Sequence, residues 1–242
     1  MISHTKVILL KAIDYQDSSK ILTVLSSEHG KIALIAKGAK RPKNKFTGLL
    51  DVGNILDVVY YYKANRGVQT LTEASVFYKS DIFRKDFQRA AVLYATLELV
   101  AQLVHDNEVN KPVFNFAGNF IQWLGESDTT FPSVFAYVQL RMAEIIGIGI
   151  HPDIENEANH TYLNVAGGSV SNSASEELSY KLTPAQSRFV LQGLRSKSKA
   201  IFNIDLENGE LKQLVHHLDV YFKYHIDGYK ERRSDTIFEQ MI

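Results

Sequence analysis

The 242-residue chain is predicted to be an α+β protein: a five-stranded OB-fold barrel over residues 1–80, then an α-helical bundle over 81–242 with a small loop-rich insertion at about 151–178. Three observations predict it. Short runs rich in Val, Ile, Leu and Tyr fill the first 80 positions, the apolar period then lengthens to that of a helix, and the charge balance changes at the same place. Twelve Lys and Arg face six Asp and Glu within residues 1–80, although the whole chain holds 27 of each. The first segment is basic by six charges and the remainder acidic by six. That is the composition of a module for a polyanion joined to one employed differently.

Five strands are expected at Lys6–Asp14, Ser19–Ser26, Lys31–Lys37, Asn54–Lys63 and Val68–Tyr78. Glu28-His29-Gly30 suits a hairpin turn, and Asn65-Arg66-Gly67 supplies residues tolerant of positive φ. Five strands in about 80 residues suit a small, partly open OB barrel, with an SH3-like barrel as the competing arrangement.

After Ser80, Phe87, Ala90, Tyr94, Leu97, Ala101 and Val104 alternate steps of three and four and mark one helix face. Pro112 fits the first turn of a second helix carrying Val113, Phe116, Phe120 and Trp123. Pro132 opens a third with Phe135, Val138, Met142 and Ile145, ending near Gly147 and Gly149. Thr183-Pro184 caps a short helix with Phe189 and Val190. The last long helix places Leu211, Leu214, Leu218, Tyr221, Phe222 and His225 on one side. Between the third and fourth, Pro152, Gly167, Gly168 and several serines break the period, leaving room for one small hairpin.

Composition removes several function classes. With no cysteine there is no disulfide scaffold, no thiolate zinc site and no cysteine nucleophile. No apolar run approaches the ~20 residues that cross a bilayer, and the N-terminal stretch is too polar for a signal peptide, so a soluble, cytoplasmic protein without membrane partners is expected. Phosphate-loop, nucleophile-elbow and H-E-x-x-H patterns are absent, and no enzyme is expected. His216, His217, Asp219 and His225 share a helix without an i,i+4 histidine pair. His151, Asp153, Glu155, Glu157 and His160 are scattered through the insertion, so neither metal nor other cofactor is expected.

The densest chemistry lies in Lys37-Gly38-Ala39-Lys40-Arg41-Pro42-Lys43-Asn44-Lys45-Phe46, five cations and one aromatic in ten residues. Such a loop can neutralise phosphates and release counterions, the main sequence-independent contribution to DNA affinity; it can also be a plain solvated loop. Lys37, Lys40, Arg41, Lys43 and Lys45, with Arg66, are the candidate DNA contacts. Alternation puts Tyr60 and Tyr62 on one face, either packing the barrel or stacking on bases.

The segments Tyr15-Gln16-Asp17-Ser18-Ser19-Lys20-Ile21, Glu28-His29-Gly30-Lys31-Ile32 and Ala36-Lys37-Gly38-Ala39-Lys40-Arg41-Pro42-Lys43 follow one another as in the start of RecO, the bacterial recombination mediator, which the chain resembles. Ile146-Gly147-Ile148-Gly149-Ile150-His151-Pro152 looks like the family's L-G-Y-x-P, and Tyr224-His225-Ile226-Asp227-Gly228-Tyr229 like its closing Y-H-L-x-G-F. The resemblance therefore spans nearly the whole chain. It implies an OB-fold and a helical domain that act without ATP or catalysis. It further implies binding of single- and double-stranded DNA, annealing of complementary strands coated by single-stranded-DNA-binding protein, and loading of RecA together with RecR. Asp17 stands where the family usually has Glu. Many members carry a four-cysteine zinc site in the insertion, and this chain has no cysteine for one, so no metal is expected.

On this resemblance the helical domain should receive the coat protein's short acidic tail in an apolar groove rimmed by cations. Arg188, Arg195, Lys197 and Lys199 flank the Phe189–Leu194 helix and, with Arg141, are the candidates. Another OB-fold nucleic-acid binder, such as one for structured RNA, is the alternative; a metal-dependent nuclease is a more distant one.

Overall fold

The computed structural model describes residues 1–79, 81–128, 132–154, 160–196, 198–232 and 234. Five strands close a barrel: β1 (Ile2–Tyr15), β2 (Ser19–Ser26), β3 (Gly30–Ala36), β4 (Ile55–Tyr61) and β5 (Val68–Tyr78), in the order β1-β2-β3-β5-β4 with β4 back on β1. All pairs are antiparallel except β3 with β5. That order and the single parallel pair are those of an OB barrel. The long β1 serves two neighbours, pairing with β4 through Ile2–Ile8 and with β2 through Val7–Tyr15, and a register shift between Leu9 and Lys11 bends it between them. Alternation decides the inside: Val7, Leu9, Leu22, Val24, Ile32, Leu34, Leu56, Val58 and Leu71 point into the core. Phe46, expected as the aromatic of the basic loop, is buried in this same core and plugs the barrel.

The chain divides into two compact units, Met1–Asp128 and Thr129–Ile242. The first holds the barrel, α1 (Phe87–Leu103) and α2 (Lys111–Glu126). The Asp86 and Asn110 side chains cap α1 and α2 by accepting from the Arg89 and Val113 N–H groups. The inward face expected for α1 is corrected at two positions: Phe87 and Tyr94 are exposed, while Ala91, Val92, Leu93, Ala95, Leu97, Leu99 and Val100 are buried. A helix enclosed on most sides offers no single apolar stripe for spacing to find. Arg89 is buried too, donating to the Asp86 carboxylate and to the Leu124 carbonyl at 2.9 Å, which ties α1 to the end of α2.

The β2–β3 turn is the joint between barrel and helices. Gly30 adopts φ +66°, and a Cβ there would lie 1.9 Å from the Glu108 carbonyl oxygen. Next to it, Lys31 donates to the Ala101 carbonyl in the last turn of α1 at 2.7 Å and pairs with Asp106 at 3.2 Å. A cation at a helix C-terminus is favourably placed against its dipole.

The second unit contains α3 (Val134–Ile145), α4 (Pro184–Arg195), α5 (Asn208–His225) and four short strands, β6 (His151–Asp153), β7 (Thr161–Asn164), β8 (Ser169–Ser171) and β9 (Ser179–Leu182). The expected loop-rich insertion is thus more ordered than its composition suggests: a sheet of order β6-β8-β7-β9 instead of one hairpin. Its centre is Asn164, buried, whose amide donates to the Ser171 hydroxyl (2.8 Å) and the Ser173 carbonyl and accepts from the Ser175 N–H and the Ser179 hydroxyl (2.6 Å). Four strand and loop segments meet on one fully satisfied side chain. Asn164→Ala should therefore lower stability by about 2–4 kcal/mol, because it strands buried polar partners, and a shift of the urea midpoint measures this.

On α5, Leu211, Leu214, Leu218, Tyr221 and Phe222 are buried as the spacing predicts. Tyr221 donates to the Ile148 carbonyl, and His225 donates through Nε2 to the Val165 carbonyl at 2.7 Å, so the last turns of α5 hold the segment leading into β6 and the one leaving β7. His217 stacks on Tyr180 with ring centroids 4.1 Å apart. Burial, with the nearby His216 charge adding, pulls its pKa down to about 4. The unfolded chain binds this proton more tightly, so the His217 contribution is intact above pH 6.5 and declines as pH falls towards 4. The loss should level at about 2–3 kcal/mol, discounted for partial exposure. The difference in urea-melt stability between wild type and His217→Phe across pH 7 to 4 isolates it.

Candidate nucleic-acid interface

The loop leaves β3 through Gly38 at φ +76° and folds on its own polar groups. The Arg41 N–H donates to the Gly38 carbonyl, while the Asn44 amide donates to the Ala39 and Arg41 carbonyls and accepts from the Phe46 N–H. With Asn44 organising the backbone and Phe46 anchored in the core, the cations are turned outward. Lys37, Arg41 and Lys43 are exposed and make no ion pair with the described residues. Lys40 is engaged: its ammonium sits 3.1 Å from Asp14, which also pairs with Lys20. These two lysines hold the Asp14 carboxyl below its ordinary pKa, the Lys40 hydrogen bond contributing most. Lys45 donates to the Thr72 carbonyl on β5 and lies 5.3 Å from the Phe46 ring.

The other candidates lie elsewhere. Arg66 is exposed on the β4–β5 turn, which the Gln69 side chain fastens through Lys63 and the Arg66 carbonyl. Because β3 and β5 run parallel and β4 ends beside the start of β1, this turn belongs to the opposite end of the barrel from the Lys37–Lys45 loop. Tyr60 is fully buried, its hydroxyl 2.7 Å from His29 Nδ1, so it is corrected from a base-stacking candidate to a core residue. Tyr62 is half-buried and stacks on His29 at 4.0 Å. The exposed ring of the triplet is Tyr61.

Sequence reasoning missed the surface between the two ends. The register aligns Ile13, Ile21, Ile35 and Thr70 in one cross-strand row on the outward face of β1, β2, β3 and β5. Lys11, Ile13, Tyr15 and Val68 are exposed around it. This is the face an OB-fold offers to extended ligands, here more aliphatic than aromatic. The sequence shows Ile13, Ile21, Ile35 and Thr70 only as single residues on separate strands, and the pairing alone makes them neighbours.

In the second unit, Arg188 and Arg195 are exposed seven residues apart on α4, and Lys199 is exposed beyond its end. Arg141 is buried and ion-paired with Glu144, which removes it from an open rim. Lys197 lies outside the described residues, as do Glu155 and Glu157. Asp219 is committed to a bidentate pair with buried Arg232 and to the Gln139 amide. Among the described residues, no three or more His, Asp or Glu are grouped to hold a metal ion, and no helix is long and apolar enough to cross a membrane.

Two family models match, recombination protein O N terminal over residues 1–79 and recombination protein O C terminal over residues 84–234. The chain belongs to the RecO family of DNA repair and recombination proteins. Relatives named DNA repair protein RecO match from end to end: that of Pelodictyon phaeoclathratiforme is 27% identical over all of this chain and 99% of its own. The Chloroherpeton thalassium protein is 28% identical over 100% of both chains. A third, from Chlorobaculum parvum, is 33% identical over 61% of this chain and 56% of its own. The two RecO models meet between β5 and α1, so α1 and α2 belong to the C-terminal model by sequence while packing with the barrel in one compact unit.

Proposed function

We propose that the chain is a non-catalytic mediator of DNA repair and recombination. In this reading it binds single- and double-stranded DNA through the end of the barrel that carries the Lys37–Lys45 loop. It anneals complementary strands coated by single-stranded-DNA-binding protein and, with RecR, helps load RecA. The observation that carries the reading is three exposed cations, without an ion pair among the described residues, on a loop whose backbone is fastened to an OB barrel, in a chain of the RecO family. Fixed cations at a barrel mouth favour a backbone polyanion of any sequence, which is what annealing arbitrary strands requires.

The tail of the coat protein is assigned to the second unit, with Arg188 and Arg195 on α4 and Lys199 beyond it as the carboxylate-side cations. A strand-annealing assay with coated complementary oligonucleotides tests the function: annealing without cleavage and without ATP is expected. Cleavage would indicate a nuclease, and binding confined to folded RNA would favour the alternative OB reading. For the tail, Arg188→Glu with Arg195→Glu in the full chain should weaken capture of a labelled tail peptide at least tenfold while leaving oligonucleotide binding unchanged. Equal peptide binding by that variant would move the tail site elsewhere.

A further inference from the structure

Two turns at the loop end of the barrel are clipped together. The Lys40 N–H donates to the Ser18 carbonyl at 2.9 Å, and its ammonium reaches the Gln16 carbonyl at 3.4 Å. Gln16 is one of three non-glycine residues with positive φ among the described residues (+50°), so the β1–β2 turn is tightly formed where the loop rests on it. Between the turns lies Asp14, whose two carboxylate oxygens are each taken by a different lysine: Oδ1 by Lys20 and Oδ2 by Lys40, both at 3.1 Å. Two ammonium groups facing one carboxylate leave a positive charge uncompensated. Lys37, Arg41 and Lys43, all exposed, extend that charge along the loop.

We propose that Lys20 and Lys40 form a phosphodiester-binding site, which the Asp14 carboxylate occupies in the free protein and which a nucleic-acid backbone takes over on binding. The inference rests on the proposed DNA function and adds to it Lys20 as a ligand and Asp14 as a built-in competitor. A phosphodiester offers two charged, non-bridging oxygens, the same pattern that Asp14 presents to the two lysines. The exchange runs towards the nucleic acid because solvent-exposed ion pairs within a protein contribute little, whereas each phosphate neutralised by a lysine also releases condensed counterions. Asp14 then faces the incoming strand unpaired, so it weakens binding and makes its salt dependence shallower than the number of lysines would give.

The test is a salt titration of a labelled oligonucleotide, single-stranded and duplex, with full-length wild type, Asp14→Asn, Asp17→Asn and Asp14→Asn with Lys20→Ala. Asp17 is exposed in the same turn and makes no ion pair with the described residues, so its variant changes the net charge equally without releasing a lysine. Asp14→Asn should bind about three- to tenfold tighter, with a duplex slope steeper by up to about 0.9 because one opposing charge is gone, and adding Lys20→Ala should take about 0.9 back. Asp17→Asn should produce less than half of the gain. Unchanged or weaker binding by Asp14→Asn, or an equal gain from Asp17→Asn, overturns the inference while leaving the DNA function standing. No oligonucleotide binding by wild type would remove the function and the inference together.

Discussion

Replacing Gly30 by valine should cost the folded protein about 4 kcal/mol or more, enough to leave a marginal domain largely unfolded. Two independent penalties meet at this residue. Its φ of +66° lies in the left-handed region, where a β-branched residue is strained by about 1–3 kcal/mol. Its missing Cβ is also the space filled by the 105–108 loop, since an added carbon would sit 1.9 Å from the Glu108 carbonyl oxygen and 2.4 Å from the Glu108 carbonyl carbon. Neither atom belongs to a flexible side chain, so the loop must move. Moving it pulls on the Asn107 N–H, which donates to the Lys31 carbonyl, and on Asp106, which pairs with the Lys31 ammonium. The same lysine holds the α1 terminus through Ala101, so the damage reaches the helix that runs through the core of the first unit. Gly30→Ala separates the two contributions, because it keeps most of the contact penalty with less backbone strain. Equilibrium urea unfolding of both variants measures the costs, and a loss below about 1 kcal/mol for valine would mean that the loop yields freely. Gly48 is the control: it too has positive φ (+71°), but nothing lies within 4 Å of its added Cβ.

The barrel is legible where a strand alternates, and β3 does so throughout. Ile32, Leu34 and Ala36 are buried while Lys31, Ala33 and Ile35 are not, and that alternation reads directly from the chain. The Glu28-His29-Gly30-Lys31 turn was legible as a turn and as a family mark, but not as a joint, because its partners Ala101, Asp106 and Glu108 lie 70 or more residues away and leave no local pattern. The same holds for the candidate site. Five cations in ten residues stand out in the sequence, whereas Asp14 and Lys20 gain their meaning only when β1 and β2 pair Asp14 opposite Lys20 and the loop folds over both. The small sheet of the second unit was invisible for another reason. It is organised by Asn164 and serines rather than by apolar residues, and serine-rich composition reads as loop unless the hydrogen-bond partners are known. For Tyr60 the pattern settles between its two readings: position two of every pair along β4 is inside, and Tyr60 shares that side with Val58 and Leu56, so it packs the barrel.

Lys37→Ala, Arg41→Ala and Lys43→Ala combined should reduce duplex affinity about a hundredfold near 0.15 M salt while leaving the stability of the protein unchanged. The magnitude follows from counterion release: about 0.9 units of slope per phosphate contact makes about 2.7 for three, which corresponds to roughly two orders of magnitude between 1 M and 0.15 M salt. On single strands, at about 0.7 per contact, the loss of slope should be nearer 2. These three positions suit the experiment better than Lys40 or Lys45. Removing Lys40 would also strip a partner from Asp14, and removing Lys45 would take a donor from the Thr72 carbonyl, so either change would mix structure with binding. Lys37, Arg41 and Lys43 have exposed side chains and no ion pair with the described residues, and the loop's shape depends on Asn44 and Phe46 instead. The thermal midpoint should therefore stay within a degree or two of wild type, since such surface changes rarely exceed about 0.5 kcal/mol. Lys43 sits at φ +53°, where alanine keeps the side-chain strain as it is and adds none. If the triple variant bound duplex with an unchanged slope, the phosphates would be met elsewhere. The cations to test next would then be Lys11, exposed beside the aliphatic row, and Arg66 at the far turn.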